Sequence, residues 1–306
     1  MSAFLPFVKM HGLGNDFVLT DLRRHPQWQK LLCQPAWVRF VCNRHLGVGA
    51  DGILALSAAT TKGALATMTI HNADGSLAEM CGNGLRCVAR YLVEPIEHPP
   101  QGPSNPSASS VFVVDTLAGP RVCKIESPVG QTALSVAVDM GRPVFSAPAT
   151  IELDLGDGRL PGPGTLVSMG NPHVVFFVEP PVAFEQLLAL AHRLGPVVET
   201  HPAFPHRTNV EFAQRLGATI FETVVWERGC GVTQACGTGA CASVAAACQT
   251  GQVVPGQTFG VRLPGGWLDI AIEKDLSTTW LRGPAQTVFR GDLTTCSIMP
   301  FDGAGF

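Results

Sequence analysis

Two cysteines stand where thiol chemistry is most favoured. Cys236 belongs to QACGTGACASVAAA, residues 234–247, and is followed at once by Gly237, Thr238 and Gly239. The Ala-rich run beyond has no proline or charge and predicts a buried helix. Cys81 opens the same device: Gly82, Asn83 and Gly84 follow, then an apolar helical pattern through Leu85, Val88 and Tyr91. A thiol at a helix start lies beside unpaired backbone N–H groups and the positive end of the helix dipole. Both favour thiolate, so each cysteine is expected to titrate below the ordinary value of about 8.5. The glycines let backbone N–H groups approach an anion closely.

The surroundings of the two cysteines repeat. Cys81 and Cys236 are 155 positions apart, as are Asn72 and Glu227, and Asn15 and Asn171 are 156 apart. Each Gly-Asn pair, Gly14-Asn15 and Gly170-Asn171, leads into an apolar strand. This spacing predicts an internal duplication. Two similar halves, each offering one helix start with one thiol, would flank one small anionic substrate. A symmetric pair suits a symmetric reaction. One thiolate takes a proton from a carbon while the opposite thiol gives one to its other face, inverting a stereocentre without a cofactor. The helix starts would hold a carboxylate and the charge that develops on it.

Other polar residues cluster by sequence near these motifs. Asn15, Asn72, Asn171 and Asn209 are turn formers or polar ligands for a substrate, and their matching places in two halves favour ligands. Glu227-Arg228 is a solvated ion pair at a strand end or a pair reading an ammonium and a distal carboxylate. His173 is a satisfied strand histidine or a group that orients a catalytic partner.

Composition narrows the class. The chain has 306 residues, 46% hydrophobic and only 15% charged, which predicts a globular protein with a large core. The net charge of −3, with no basic run, argues against nucleic acid as a partner. No apolar stretch approaches the roughly 20 residues of a membrane span. The opening MSAFLPFVKMHG lacks the features of a signal peptide, so the cytoplasm is expected. Ten cysteines occur without CxxC or HExxH spacing, so no metal site is expected. Cys87, Cys241 and Cys248 fall on the apolar helices and read as core, while Cys33, Cys42, Cys123, Cys230 and Cys296 are assigned no chemistry.

The elements that must position these residues are mostly strands. A glycine-rich loop carries Asn15, a helix spans 28–44, and strands run over 66–71 and 111–125. Residues 94–110 are Pro/Ser-rich and read as a surface loop, and the chain crosses to its second half near 126–130. A strand pair over 165–179 is broken by GNPH. An amphipathic helix covers 184–194, with Phe184, Leu187, Leu188 and Leu194 inward. Strands cover 208–214, 219–226, 259–263, 267–272 and 279–289. The expected class is α+β: two similar domains, each a curved, mostly antiparallel sheet wrapped around a central helix. The first is 1–130 with a closing strand at about 286–306, and the second is 131–285.

Taken together, KMHGLGNDF, NADGSLAEMCGNGLRC, SMGNPH, ERG, QACGTGACA and GPAQTVF resemble the diaminopimelate epimerases, which are pyridoxal-independent amino acid racemases. The resemblance spans 9–289. It implies the two-domain fold, Cys81 and Cys236 as the acid/base pair, and supporting catalytic roles for His173 and Glu227. It also implies substrate contacts at Asn15, Asn72, Gly82-Asn83, Asn171, Asn209, Glu227-Arg228 and Gly237-Thr238. The implied reaction interconverts LL- and meso-diaminopimelate, supplying lysine and peptidoglycan synthesis, with no cofactor and with a homodimer as the assembly. Gly52 stands where many members carry a substrate-binding Gln, and Val232 where a Glu is usual. Proline racemases also use two cysteines, but carry His where this chain has Asn83. A redox-sensing protein could use the same thiols, but would leave the four Asn and Glu227-Arg228 without a role.

Overall fold

A computed structural model describes residues 4–94, 110–126, 133–156 and 158–294. The chain forms two compact units, Met1–Val136 with Pro284–Phe306, and Ala137–Gly283. Most of the expected loop at 94–110 and of the crossover near 126–130 lies outside the described residues.

In the first unit β1 (Phe4–Gly12) pairs antiparallel with β2 (Asn15–Asp21), and β2 pairs parallel with β3 (Gly52–Ser57). Next, β3 pairs antiparallel with β4 (Ala64–Asn72), and β4 with the short β5 (Leu77–Ala78). Finally β4 pairs parallel with β6 (Val111–Asp115), and β6 antiparallel with β7 (Arg121–Ile125). Between β2 and β3 lie a 3-10 turn (Pro26–Trp28), α1 (Gln29–Leu32) and α2 (Pro35–Cys42), and after β5 comes α3 (Gly82–Val93). The sequence pattern predicts one helix over 28–44, but the chain breaks it at Pro35. Gln34 before it is held extended, with φ −103° and ψ 105°, and Pro35 starts a new helix.

Among the described residues, the second unit repeats this order of pairing. After β8 (Leu134–Asp139) and β9 (Val144–Ile151), β10 (Gly164–Ser168) pairs antiparallel with β11 (Pro172–Phe177). β11 pairs parallel with β12 (Asn209–Arg215), and α4 (Phe184–Glu199) connects them. β12 pairs antiparallel with β13 (Ile220–Glu227), and β13 with the short β14 (Gly231–Val232). After α5 (Gly237–Gln249), β15 (Thr258–Leu263) pairs parallel with β13 and antiparallel with β16 (Gly266–Ile272). The last strand, β17 (Thr279–Thr294), pairs with β16 through Arg282 and with β1 from Gln286 onward. The fold is thus α+β and sheet-dominated, with each cysteine motif opening one helix.

Each unit packs helices on its sheet by alternation along the strands. In the first unit Trp28, Leu32, Trp37, Val38 and Val41 cover Val18, Ile53 and Ala55. In the second, Leu187, Ala191, Leu194 and Val198 of α4 cover Val174, Phe176, Val210, Phe212 and Val224. Phe184 and Leu188 pack on this core only partly buried. The helix expected over 184–194 runs on to Glu199, through Pro196. Its close seat on β13 explains the extension: a Cβ on Gly195 would lie 2.5 Å from Trp226 Cγ, and Val198 and Glu199 are buried beyond it. That packing outweighs the local breaker.

α3 and α5 are buried in their own units. Residues 237–247 of α5 and 82–90 of α3 are buried, including Arg86 and Arg90. In the first unit Arg86 Nε donates to Pro284 O at 3.1 Å and Arg90 Nη1 to Ala285 O at 2.6 Å, while Arg90 also pairs with Glu94. Two guanidinium groups therefore tie α3 to β17, whose backbone carbonyls supply their partners. Cys87 and Cys241 are buried, whereas Cys248, expected as core, is only half-buried because it lies in the last turn of α5. Among the described residues no helix is long and apolar enough to cross a membrane, and no group of three potential metal ligands occurs.

Candidate active site

In the first unit Cys81 caps the N-terminus of α3 in an extended conformation, and its sulfur accepts from the Gly84 N–H at 3.4 Å. Asn15, at the start of β2, reaches the same place. Its Oδ1 accepts from Asn83 Nδ2 at 2.9 Å and lies 3.9 Å from Cys81 Sγ. The Nδ2 of Asn15 donates to Asp51 Oδ2 at 2.9 Å, and Asp51 is joined by Arg44 at 2.8 Å. Asn15, Cys81, Gly82 and Asn83 thus form one cluster. Asn72 ends β4, and its Nδ2 donates to Ser76 Oγ at 3.0 Å, closing the turn after the strand. Gly52 pairs with Asn72 across the sheet, and a Cβ there would lie 2.6 Å from the His71 carbonyl oxygen. The backbone at this position is shaped for glycine, so a Gln side chain has no place without a shift.

In the second unit β11, β12 and β13 send Val174, Phe176, Val210, Phe212 and Val224 to α4. Strand alternation puts His173, Glu211 and Glu227 on the other side, under the start of α5. A Cβ on Gly239 of α5 would lie 2.9 Å from Glu211 Oε1 and 2.7 Å from Val225 Cγ2, so only glycine allows this approach without displacement. Cys236 caps α5 in an extended conformation, with its sulfur 3.5 Å from Thr238 Oγ1 and near the Gly239 N–H. Glu227 accepts from Thr233 in a short hydrogen bond and also bonds Cys236. Asn171 Nδ2 donates to Thr238 Oγ1 at 3.3 Å, and its Oδ1 faces His173 Nε2 at 3.0 Å. His173, Glu227, Asn171, Gly237 and Thr238 are thereby gathered around Cys236.

Asn209 and Arg228 occupy different positions in this cluster. Asn209 uses both ends of its amide: Nδ2 donates to Pro172 O at 2.8 Å, and Oδ1 accepts the Arg228 N–H at 2.9 Å. It ties the GNPH loop to the ERG loop. The Arg228 side chain turns outward, Nη1 donating to His206 O at 3.3 Å. Glu199 supports the same loop from α4, accepting from Trp226 Nε1 and the Gly229 N–H, each at 2.8 Å. Glu199 and Glu211 were not singled out from sequence. The signal for Glu211 was its place in the apolar run NVEFA, where a carboxylate shares strand parity with Asn209.

The electrostatics depart from the expectation of a depressed thiol. Burial pushes the Cys236 thiol well above its ordinary range, and the Glu227 and Glu211 carboxylates push it further. The Thr238 hydroxyl and the Gly239 N–H pull the other way, but do not offset the loss of water. Local helix-start signals cannot report that the whole first turn is buried. Burial also raises Glu227, with Thr233, Cys236 and His173 opposing. Glu211 is raised for the same reason, with His173 opposing.

Comparison with known proteins gives the family. The family model described as diaminopimelate epimerase matches residues 7–146 and 165–288. The chain is 43% identical over 302 residues to a diaminopimelate epimerase of Synechococcus sp. (strain JA-3-3Ab), covering 95% of this chain and 99% of that protein. It is 38% identical over 293 residues to a diaminopimelate epimerase of Bacteroides thetaiotaomicron, covering 96% and 99%. Among solved structures, a hydroxyproline epimerase from Agrobacterium vitis superposes with a TM-score of 0.66 at 19% identity, covering 100% of this chain and 95% of that one. A methylitaconate-delta-isomerase superposes at 0.63 and 14% identity, covering 97% of both chains. These two likenesses show the fold. Matched from residue 7 to 288 by the family model and at about two in five identical positions by full-length relatives, the chain belongs to the diaminopimelate epimerase family.

Proposed function

We propose that the chain is an isomerase that interconverts LL- and meso-diaminopimelate with two thiols and no cofactor. One observation carries the mechanism: each unit opens a buried helix with a cysteine at its N-cap, after the same order of strand pairing. In one direction the thiolate of Cys81 removes the proton from the α-carbon, and the electron pair passes into the α-carboxylate. The Cys236 thiol then gives a proton to the other face of that carbon. The two sulfurs exchange protonation states, and nothing is oxidised or reduced. In the opposite direction the roles reverse. Burial keeps Cys236 protonated when no substrate is bound, which suits it as the donor. Glu227, raised by burial and bonded to Cys236, is placed to return a proton to that sulfur when the enzyme resets, while Cys81 releases the one it took.

The backbone N–H groups of Gly82-Asn83 and Gly237-Thr238 would hold the α-carboxylate and the charge that develops on it. Asn15, Asn72, Asn171, Asn209, Glu227 and Arg228 are the proposed contacts for the amino groups and the distal carboxylate. Asn209 also holds the Arg228 backbone. His173 supports Cys236 through Asn171 and Thr238. The proposed setting is the cytoplasm, as a homodimer, in lysine and peptidoglycan precursor synthesis. The test is kcat/KM for LL-diaminopimelate beside lysine and a panel of small amino acids. A site built to pair a distal carboxylate rejects its absence by up to about 10⁴-fold. Comparable values for lysine would make the protein a racemase of broad specificity instead.

A further inference from the structure

Glu211 has no part in the scheme above, yet its side chain is fully buried beside the proposed acid/base thiol. A carboxylate in such a place is costly unless it is paired and hydrogen-bonded. Its Oε1 lies 2.7 Å from His173 Nδ1, and its Oε2 has no hydrogen-bond partner. From this pair a continuous chain of hydrogen bonds runs to the sulfur. His173 Nε2 lies 3.0 Å from Asn171 Oδ1, Asn171 Nδ2 lies 3.3 Å from Thr238 Oγ1, and Thr238 Oγ1 lies 3.5 Å from Cys236 Sγ.

We propose that Glu211 is a positioning residue that sets the direction of this chain, so that it ends with the Thr238 hydroxyl donating to Cys236. Burial raises Glu211, but the charge and hydrogen bond of His173 oppose that rise, and in the proposal the pair is ionised. A carboxylate oxygen only accepts, so Nδ1–H of His173 donates to Glu211. The facing atom of Asn171 is its carbonyl oxygen, which also only accepts, so Nε2–H donates as well. His173 is then an imidazolium, neutralised by Glu211. The Asn171 amide is fixed with its NH2 toward Thr238, which accepts, and the hydroxyl hydrogen is left for the sulfur. A donor aimed at sulfur stabilises the thiolate that forms when Cys236 gives up its proton.

Without the carboxylate the chain reverses. A Gln at 211 still accepts from Nδ1–H, but leaves the ring neutral. Nε2 then becomes an acceptor, and the Asn171 amide turns end for end to donate to it. Thr238 now donates to the Asn171 oxygen, and the sulfur loses its hydroxyl donor. The other titratable groups facing this chain are Glu227 from β13 and Cys236 from the start of α5, and neither is changed. Glu211 and His173 together carry no net charge before or after the substitution, so the direction of the bonds is what differs.

The inference rests on the two-thiol reading, but its test does not require turnover. Alkylation of Cys236 is followed against pH by peptide mass spectrometry in the full chain, for wild type, Glu211→Gln, Thr238→Val and the double variant. The expected result is a midpoint about one pH unit higher in each single variant, and no further rise in the double variant. With diaminopimelate, kcat/KM falls about tenfold in each single variant, and again no further in the double. A midpoint that is unchanged or lower in Glu211→Gln overturns the proposal, because Glu211 would then act only as a buried negative charge. Additive effects overturn it too. Should Glu211→Gln fail to fold, ring nitrogen NMR of His173 in the wild-type protein decides: two protonated nitrogens near neutral pH are expected, and a neutral ring refutes. Wild-type protein inert toward diaminopimelate, but with these alkylation and NMR results, would sink the proposed reaction and leave the chain of bonds standing.

Discussion

Replacing Gly195 with Ala sets two known effects against each other. In an exposed helix interior, Gly→Ala stabilises by about 1 kcal/mol. Here the new Cβ would lie 2.5, 2.6 and 2.8 Å from Trp226 Cγ, Cβ and Cδ2. Ordinary carbon contacts are about 3.5–4 Å, so α4 or the indole must move by about 1 Å. Overpacking of this kind costs about 1–3 kcal/mol. A displaced indole also strains its bond to Glu199, whose other oxygen holds the Gly229 N–H beside Glu227-Arg228. A hydrogen bond to a charged group is worth about 1.5–3 kcal/mol. The net expectation is a loss of about 1–3 kcal/mol in urea unfolding, with a fall in kcat/KM for diaminopimelate. A variant about 1 kcal/mol more stable than wild type would show that α4 does not seat on Trp226 as described, and would refute the reasoning.

Two further outcomes are expected. Burial alone would raise the Asp16 carboxyl, but the Arg44 and Lys9 side chains hold it at about 2. Its pairing therefore contributes stability above the ordinary carboxylate value of about 3.9, and that contribution is lost as pH falls toward 2. Asp16→Asn should cost about 2 kcal/mol near neutral pH, with the difference from wild type shrinking below about pH 4 in urea unfolding; a difference independent of pH would count against the pairing. At Gly52, substitution by Gln meets the His71 carbonyl at 2.6 Å, so a loss of about 1–3 kcal/mol and a weaker KM are expected. Unchanged stability with a tighter KM would mean that the strand accommodates the side chain.

What the sequence made legible was local. The Cys-Gly-x-Gly motifs lie at helix starts because glycine and an N-cap residue leave a readable mark over four positions. Long-range effects left none. Arg86 and Arg90 look like the polar face of an amphipathic helix, yet both are buried, with carbonyl partners 198 and 195 residues away. Glu211 reads as the outward position of a strand, but its partner His173 is 38 residues away on a neighbouring strand. The helix expected over 28–44 followed apolar period and passed over Pro35, where the local rule won. At Pro196 the opposite happened, because Gly195 lets α4 lie against Trp226. The raised Cys236 has the same origin: a helix start favours thiolate only where water reaches it.

In the proposed mechanism two thiols, one from each unit, exchange the α-proton of diaminopimelate. Proton NMR of LL-diaminopimelate incubated with the enzyme in deuterated water tests it directly. Wild type should place deuterium on the α-carbon as meso product forms, and Cys81→Ala and Cys236→Ala should each lose epimerisation by about 10²–10⁴-fold with unfolding curves intact. Meso product formed at near wild-type rate by either variant would contradict the account.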